Sequence, residues 1–384
     1  ASVPPLPEEW LDVASAYGRY LAQDLVARRT QPSADLSAMD GYAVRGNELH
    51  GPWTVVGESA AGHPFIGTLQ PGEAIRISTG ALMPDGGGAV LLQENAIREG
   101  KNLSLSGQDP ATPRHIRRQG FDFAKDKMLL ESGARLNPAA VALAISGGHS
   151  KIPVSRLPRL AIIDSGDELA RDATKMDPHQ IPASNGAMLA AMASPLCGQI
   201  NRLGPVEDRL EAILETFEKA SDADVLVTSG GASVGDHDLI RPALEQWGAE
   251  IAFWRIAMKP GKPLLVAKRG EQTILGMPGN PVSSYVTSFL FLIPLLRRLA
   301  GAQRPLPQSI AMPLAQPLSA TGKRAEFLRA RMTEAQIEPL TEQDSSALTS
   351  LAIAEALIIR PADSEPAAVG EIVPVYLLQN GGMA

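Results

Sequence analysis

The stretch VTSGGASVGDHDLIRPAL, Val227 to Leu244, ends an apolar strand in two adjacent glycines, a run of small residues and two aspartates. Gly230 and Gly231 lack a Cβ, so backbone there can lie against a phosphate or a flat ring. Ser233 adds a hydroxyl to the same turn. Asp236 and Asp238 follow, and Glu168 stands in a second bare loop, DSGDE, Asp164 to Glu168. Glu168, Asp236 and Asp238 are hard oxygen donors that suit Mg²⁺. A third loop, GMPGNP, carries Pro278, Asn280 and Pro281. Asn280 is a plausible N-cap with Pro281 in the first turn, and a helix N-terminus favours anions. Lys259 and Lys262 in MKPGKP flank a turn after another strand, and Arg255 precedes them. Each feature alone also reads as a tight turn, a solvated acid or a surface lysine. Three such loops at successive strand ends point to a ligand that carries phosphate.

The elements that must hold these loops alternate between strand and helix from about residue 158 to 303. RLAIID, QINRL, ADVLVTS and IAFWRIAM read as strands, and PLLVAK with QTILGM reads as a hairpin. SNGAMLAAMASPLCG reads as a helix with Ser184 as N-cap and Gly198 past its end. VEDRLEAILETFEKA puts Leu210, Ile213, Leu214 and Phe217 on one helical face, with Asp208 in the first turn, where an acid suits the dipole. A further helix begins near Leu239, and the last runs from Val282 to Ala300. Repeated strand–helix units predict a doubly wound, mostly parallel sheet with helices on both faces, whose ligands bind outside the carboxyl ends of the strands. Before this region, the Gly- and Pro-rich residues up to about 157 read as small β-rich modules with turns. After Arg304, SIAMPLAQPL, EFLRARM, ALIIRPA and EIVPVYLL predict a small, barrel-like all-β module.

A chain of 384 residues requires more than one core. Its 44% hydrophobic and 20% charged residues describe a folded soluble protein. A net charge of −7 with no basic block argues against nucleic acid, and 4% aromatics leaves little for base stacking. The single cysteine, Cys197, excludes an internal disulfide and a thiolate-cluster metal site, and its apolar setting reads as a buried, inert thiol. YVTSFLFLIPLL is shorter than the ~20 residues of a membrane span and carries Pro294. The acidic, Pro-rich start is unlike a secretory signal, so a cytoplasmic protein is expected.

Taken together, SAMDGYAVR (Ser37–Arg45), TSGGASVGDHD, AMKPGKP, GMPGNPVSS and AGHPFIGTLQPGEAIRISTGALMP resemble the molybdopterin molybdenumtransferase family, which includes the E domain of gephyrin. The resemblance runs from about Tyr17 to the C-terminus. It implies an enzyme that inserts molybdate into adenylylated molybdopterin in a Mg²⁺-dependent step and releases AMP. It implies an elongated homodimer of four-domain subunits. In this chain these are a linker domain at 18–35 and 123–157, a second domain at 36–122 that reaches the partner's cleft, an α/β domain at 1–17 and 158–303, and a C-terminal domain from 304. It also implies a molybdopterin adenylyltransferase upstream and molybdoenzyme acceptors downstream. The functional positions it transfers are Asp40, Thr79, Asp122, Glu168, Asp208 and Asp238, with Arg255, Lys259 and Lys262 as the basic set. Arg329 and Ser346 match the C-terminal part of the molybdate site. Each acid retains an ordinary reading: Asp40 as support for a turn, Asp122 as a loop acid, Asp208 as a helix-start acid, and Thr79 as a turn hydroxyl.

The chain departs from the family on the pterin side of the cleft. PASNG has Ala183 where an Asp is usual and Gly186 where an Arg is usual, and DSGDE replaces the commoner Ser-Thr start. The helix that usually precedes the first match is mostly missing, which is expected to weaken a dimer. A non-catalytic pterin-binding scaffold is therefore the alternative. A molybdopterin adenylyltransferase is a second, and it would not need SAMDGYAVR or this length.

Overall fold

Alternate residues along the central strands divide the apolar side chains between two faces. This is the two-residue period of a strand buried on both sides. Leu160, Ile162, Val225, Val227 and Leu275 pack to one side, and Ala161, Ile163, Leu226 and Ile274 to the other. The computed structural model describes residues 3–230 and 239–378. Its central sheet runs in the order Gln199–Val206, Arg159–Ser165, Val225–Ser229, Gln272–Met277, Leu265–Arg269, Glu250–Trp254. The first four strands are parallel, and the last two are added antiparallel. Helices Leu210–Lys219 and Ile240–Gln246 cover one face, and Asn185–Ala193 with the helical segment Pro281–Leu299 covers the other. From Arg159–Ser165 the chain crosses first to one neighbouring strand and then, over the opposite face, to the other. That reversal opens a crevice at the carboxyl ends of Arg159–Ser165 and Val225–Ser229.

Several helix boundaries differ from the sequence expectation. The amphipathic helix starts at Leu210, because residues up to Val206 extend the edge strand, so Asp208 precedes the helix rather than lying in its first turn. Ser184 and Asn280 occupy N-cap positions, but neither side chain makes a capping bond. The last helix is one segment of 19 residues interrupted by a π turn, Ser288–Leu292. Pro294 cannot donate to the turn before it, which disfavours regular i−4 bonding there. By length and composition that segment could span a membrane, contrary to the shorter stretch read from the sequence. Most of it is buried inside the protein, and Leu292, Ile293 and Leu296 are packed in the core.

The expected β-rich modules flank this domain. Residues 41–105 form a six-stranded mixed sheet ordered Gly87–Leu92, Gly41–Arg45, Glu73–Ile77, Trp53–Ser59, Asn102–Leu105, Ala96–Glu99. Val13, Ala16, Leu21, Leu25, Ile152 and Val154 share another core. Glu8–Asp12 pairs with Lys151–Ser155. Residues 8–17 therefore belong with the linker module and not with the α/β domain: Leu11, Val13 and Ala16 pack in that core. Only the first residues, through Val3 and Leu6, lie on the α/β core. The C-terminal module is a sheet of Ala325–Met332, Ala356–Arg360, Ile372–Leu377 and Ile310–Pro313, with one short helix, Leu348–Ala352. Met258–Lys259 of the α/β domain joins this sheet beside Ala325–Glu326. Phe289 and Tyr376 make a ring contact at 5.8 Å across the same junction.

Candidate active site

The crevice leads into a cavity of about 680 Å³. Ser165, at the end of Arg159–Ser165, and Gly230, just after Val225–Ser229, line it. Gly230 has φ +97°, and a Cβ there would stand 2.6 Å from the carbonyl oxygen of Ser165. Glycine is thus required at this point by the packing of the two strand ends, and the same bareness leaves backbone facing the cavity. Glu168 and Asp208 line the cavity together with Lys259, Lys262 and Arg324. Ser165 donates its hydroxyl proton to the Asp208 carboxylate at 2.9 Å, and the Asp208 N–H donates to Asp167 at 3.0 Å. These bonds hold Asp208 at the rim although no helix begins there.

The basic side is built by two domains. Lys259 lies 3.4 Å from Glu326, because the parallel pairing of Met258–Lys259 with Ala325–Glu326 sets the two chains side by side. The same pairing brings Arg324 to the cavity. The side chains of Lys262 and Arg324 have no ion-pair partner among the described residues, so both charges are available to an anion. Asn280 donates to the Ser345 hydroxyl at 2.9 Å, and the Val282 N–H donates to the Ser345 carbonyl at 3.1 Å. The helix start at Pro281 is therefore tied to the C-terminal module.

A second cavity of about 430 Å³ continues from the first and shares Ser165, Glu168, Gly230 and Asn280 with it. Pro281 and Ser346 line this second cavity. The Ser346 hydroxyl donates to Asp344 at 2.6 Å. Asp164 also lines it. Burial pushes the Asp164 carboxyl up to about 6, against the opposing effects of the Gly186 N–H bond and the charge of Arg202. A Cβ on residue 186 would stand 2.2 Å from Oδ2 of Asp164. Gly186 is thus the complement of Asp164: the two departures noted in the sequence occupy one space. Ala183 lines the same cavity.

Of the residues singled out in the sequence, Glu168, Asp208, Gly230, Lys259, Lys262, Pro278, Asn280, Pro281 and Ser346 come together at these cavities. Gly231, Ser233, Asp236 and Asp238 lie outside the described residues. Asp40, Thr79 and Asp122 line neither cavity. Asp40 accepts the Thr79 N–H at 2.6 Å and its hydroxyl at 3.1 Å, and these bonds hold the Asp40 carboxyl below its usual range. Asp122 is not part of that pair; its N–H donates to the Gln31 carbonyl. Arg255, at φ +105°, lines neither cavity. Arg329 is 1% exposed and lines neither cavity; it donates to Ser350 and to the carbonyls of Glu342 and Asp344. Its guanidinium anchors the loop that carries Asp344 and Ser345 to the cavity. Arg324 was missed, since its place depends on the domain pairing; Asp164 and Asn185 lie in DSGDE and PASNG, which were singled out, but neither was given a site role, because their convergence depends on the crevice. Burial also pushes the Cys197 thiol up to about 12, which leaves it unreactive.

Among the described residues no three His, Cys, Asp or Glu side chains converge as a metal cluster. Glu168, Asp208 and Asp344 line one cavity, and the Asp344 carboxylate already accepts from Ser346, which leaves two carboxylates for a cation. That number fits Mg²⁺, which usually keeps waters and takes its remaining ligands from substrate phosphates.

Comparison with known proteins gives matches along most of the chain. Residues 1–148 match the MoeA N-terminal region (domain I and II), residues 161–298 a probable molybdopterin binding domain, and residues 311–378 the MoeA C-terminal region (domain IV). The molybdopterin molybdenumtransferase of Haemophilus influenzae is 35% identical over 303 residues, covering 78% of this chain and 75% of the relative. That of Bacillus subtilis is 31% identical over 386 residues, covering 97% and 90%. The crystal structure of the molybdopterin biosynthesis moeA protein from Pyrococcus horikoshii OT3 superposes with a TM-score of 0.84 at 28% identity, covering 98% and 96%. The chain therefore belongs to the molybdopterin molybdenumtransferase family.

Proposed function

We propose that this protein is a molybdopterin molybdenumtransferase acting in molybdenum cofactor biosynthesis. On this reading it inserts molybdate into the dithiolene of adenylylated molybdopterin and hydrolyses the adenylate to release AMP. The observation that carries the reading is one cavity, at the switch point of the sheet, lined by Glu168 and Asp208 as well as by Lys259, Lys262 and Arg324. The cations suit molybdate, a tetrahedral dianion, and the phosphates of the adenylate. Bound Mg²⁺ would offset charge developing on the phosphoanhydride, with Glu168 and Asp208 as its protein ligands. Gly230 leaves backbone close to the substrate without a Cβ in the way.

The chain's own residues divide the work. Lys262 and Arg324 position the oxyanion. Asp208, held by Ser165, keeps its orientation while Glu168 stands at the junction of the two cavities. The reading includes a homodimer, in which Asp40 and Thr79 of one subunit approach the cavity of the other. Their absence from their own subunit's cavity supports this, as do the exposed Ile66 and Phe121 on the same module. It also includes a cytoplasmic location, an adenylyltransferase as supplier of substrate and molybdoenzymes as acceptors of product.

The test is AMP release from adenylylated molybdopterin, with molybdate and Mg²⁺ added singly and together. Release only when both are present is the expected result. Binding of molybdopterin with no release under any condition would establish a scaffold instead.

A further inference from the structure

Asn185 and Asn280 both stand at helix starts of the α/β domain, and neither amide serves its helix. Asn185 donates to the Gly279 carbonyl at 2.7 Å. Asn280 makes no capping bond and donates instead to the Ser345 hydroxyl at 2.9 Å. The first bond fixes the turn before Pro281, and the second ties that turn to the C-terminal module. On the other side of the tie, Ser345 belongs to a loop that its own sheet holds firmly. Arg329 donates to the carbonyls of Glu342 and Asp344, and the Gln343 amide donates to those of Arg329 and Leu340. That loop brings Gln343, Asp344 and Ser345 to the first cavity.

The junction between the two modules thus has two chemically different parts. Met258, Val282, Phe289, Leu351 and Leu357 share a buried apolar cluster, and none of them lines either cavity. Burial of that kind holds the modules together whether or not a single polar contact is made. At the cavity the contacts are polar: Asn280 with Ser345, the Val282 N–H with the Ser345 carbonyl, and Lys259 with Glu326. Asn280 is exposed, so its bond competes with water and adjusts the junction without being needed to form it.

We propose that Asn280 is a positioning residue rather than a substrate ligand: its amide latches the loop 342–346 of the C-terminal module to the rim of the cavity, and so sets the spacing of the cations that the two modules contribute. The inference rests on the molybdenumtransferase reading and deepens it. Lys262 comes from the α/β domain and Arg324 from the C-terminal module. An oxyanion held between them reads their separation, which neither module fixes alone. A ligand that requires the latched arrangement loses apparent affinity in proportion to the fraction of protein that is unlatched.

The experiment compares Asn280→Ala, Ser345→Ala and the double variant. Loss of one ordinary hydrogen bond shifts an equilibrium roughly 2- to 10-fold. Each single variant should raise KM for molybdate by about that factor, with kcat within about twofold of wild type. The double variant should be no worse than the worse single one, because the two changes remove the same bond. Additive effects would mean that Asn280 and Ser345 meet the substrate separately, and they overturn the latch. An unchanged KM in Asn280→Ala overturns it as well, whatever happens to the melting temperature. Hydrogen–deuterium exchange of residues 342–346 in the full chain without substrate follows the loop independently of turnover. Exchange there should quicken roughly 2- to 10-fold in Asn280→Ala, and equal rates reject the latch. If wild-type protein releases no AMP, the enzymatic reading fails, and the exchange rates alone then decide whether Asn280 holds the loop.

Discussion

Glu168 and Asp208 on the one hand, and Asp40 and Thr79 on the other, are positions to which the family resemblance assigns function, and they are built in different ways. Glu168 and Asp208 belong to loops separated by a complete strand–helix crossover, and the sheet returns both to one crevice beside cations from another domain. Asp40 and Thr79 lie at the ends of adjacent stretches of a β module, and their bonds close on each other. The first pair faces a cavity and the second faces solvent. A local hydrogen bond is enough to explain why Asp40 is an aspartate, but it is not enough to make a site. On the proposed dimer reading, the contrast would separate residues whose chemistry is assembled within one subunit from residues that need a second one.

The largest effect tests the first half of that contrast. Glu168→Ala and Asp208→Asn should each lower the rate of molybdate-dependent AMP release, Glu168→Ala by about 10²–10³-fold, with melting curves close to wild type. Equal turnover would make the α/β cavity no more catalytic than the β module. The second half is tested by mixing. Asp40→Asn and Glu168→Ala, each impaired alone, should regain part of wild-type activity when co-expressed, because a mixed dimer holds one cleft with both native residues. No regain, with mixed dimers present by sedimentation, would place both residues in service of the same subunit.

The smallest effect sharpens the comparison by asking how buried the α/β site is. The unfolded Asp164 carboxyl releases its proton near 3.8, whereas the folded one holds it to about 6. The folded state thus binds more protons in that window, so this group's contribution to stability falls as pH rises from about 4 to 6. Asp164→Asn removes that loss. Relative to wild type it should gain at most about 3 kcal/mol between pH 3.5 and 7, read from denaturant unfolding. A stability difference that does not vary with pH would show that Asp164 titrates as an exposed acid does. Asp40, held below its usual range by Thr79, should not show this rise when changed to Asn.

The parallel sheet was legible because its strands are short apolar runs separated by amphipathic helices. Leu210, Ile213, Leu214 and Phe217 all face one core, as their spacing requires. The bare loops were legible for a similar reason: Gly230 adopts a positive φ that few other residues tolerate. Helix starts were less so. Asp208 and Asn280 have the side chains of helix starts, but the first is held by Ser165 and the second bonds Ser345, partners 43 and 65 residues away. Arg329 shows the limit most clearly. Its motif marked it for the substrate site, yet its guanidinium is buried under a loop whose carbonyls it satisfies.

Local sequence determined the periodicities, the turns and the kinds of charge at strand ends, because each depends on residues a few positions apart. The assembly of charges was decided elsewhere. Arg324 reaches the cavity only through the pairing of Met258–Lys259 with Ala325–Glu326, and Asp164 is buried only because Gly186 leaves it room. Both are contacts between distant segments, made when separate cores pack and water is excluded between them. No spacing along the chain encodes that exclusion.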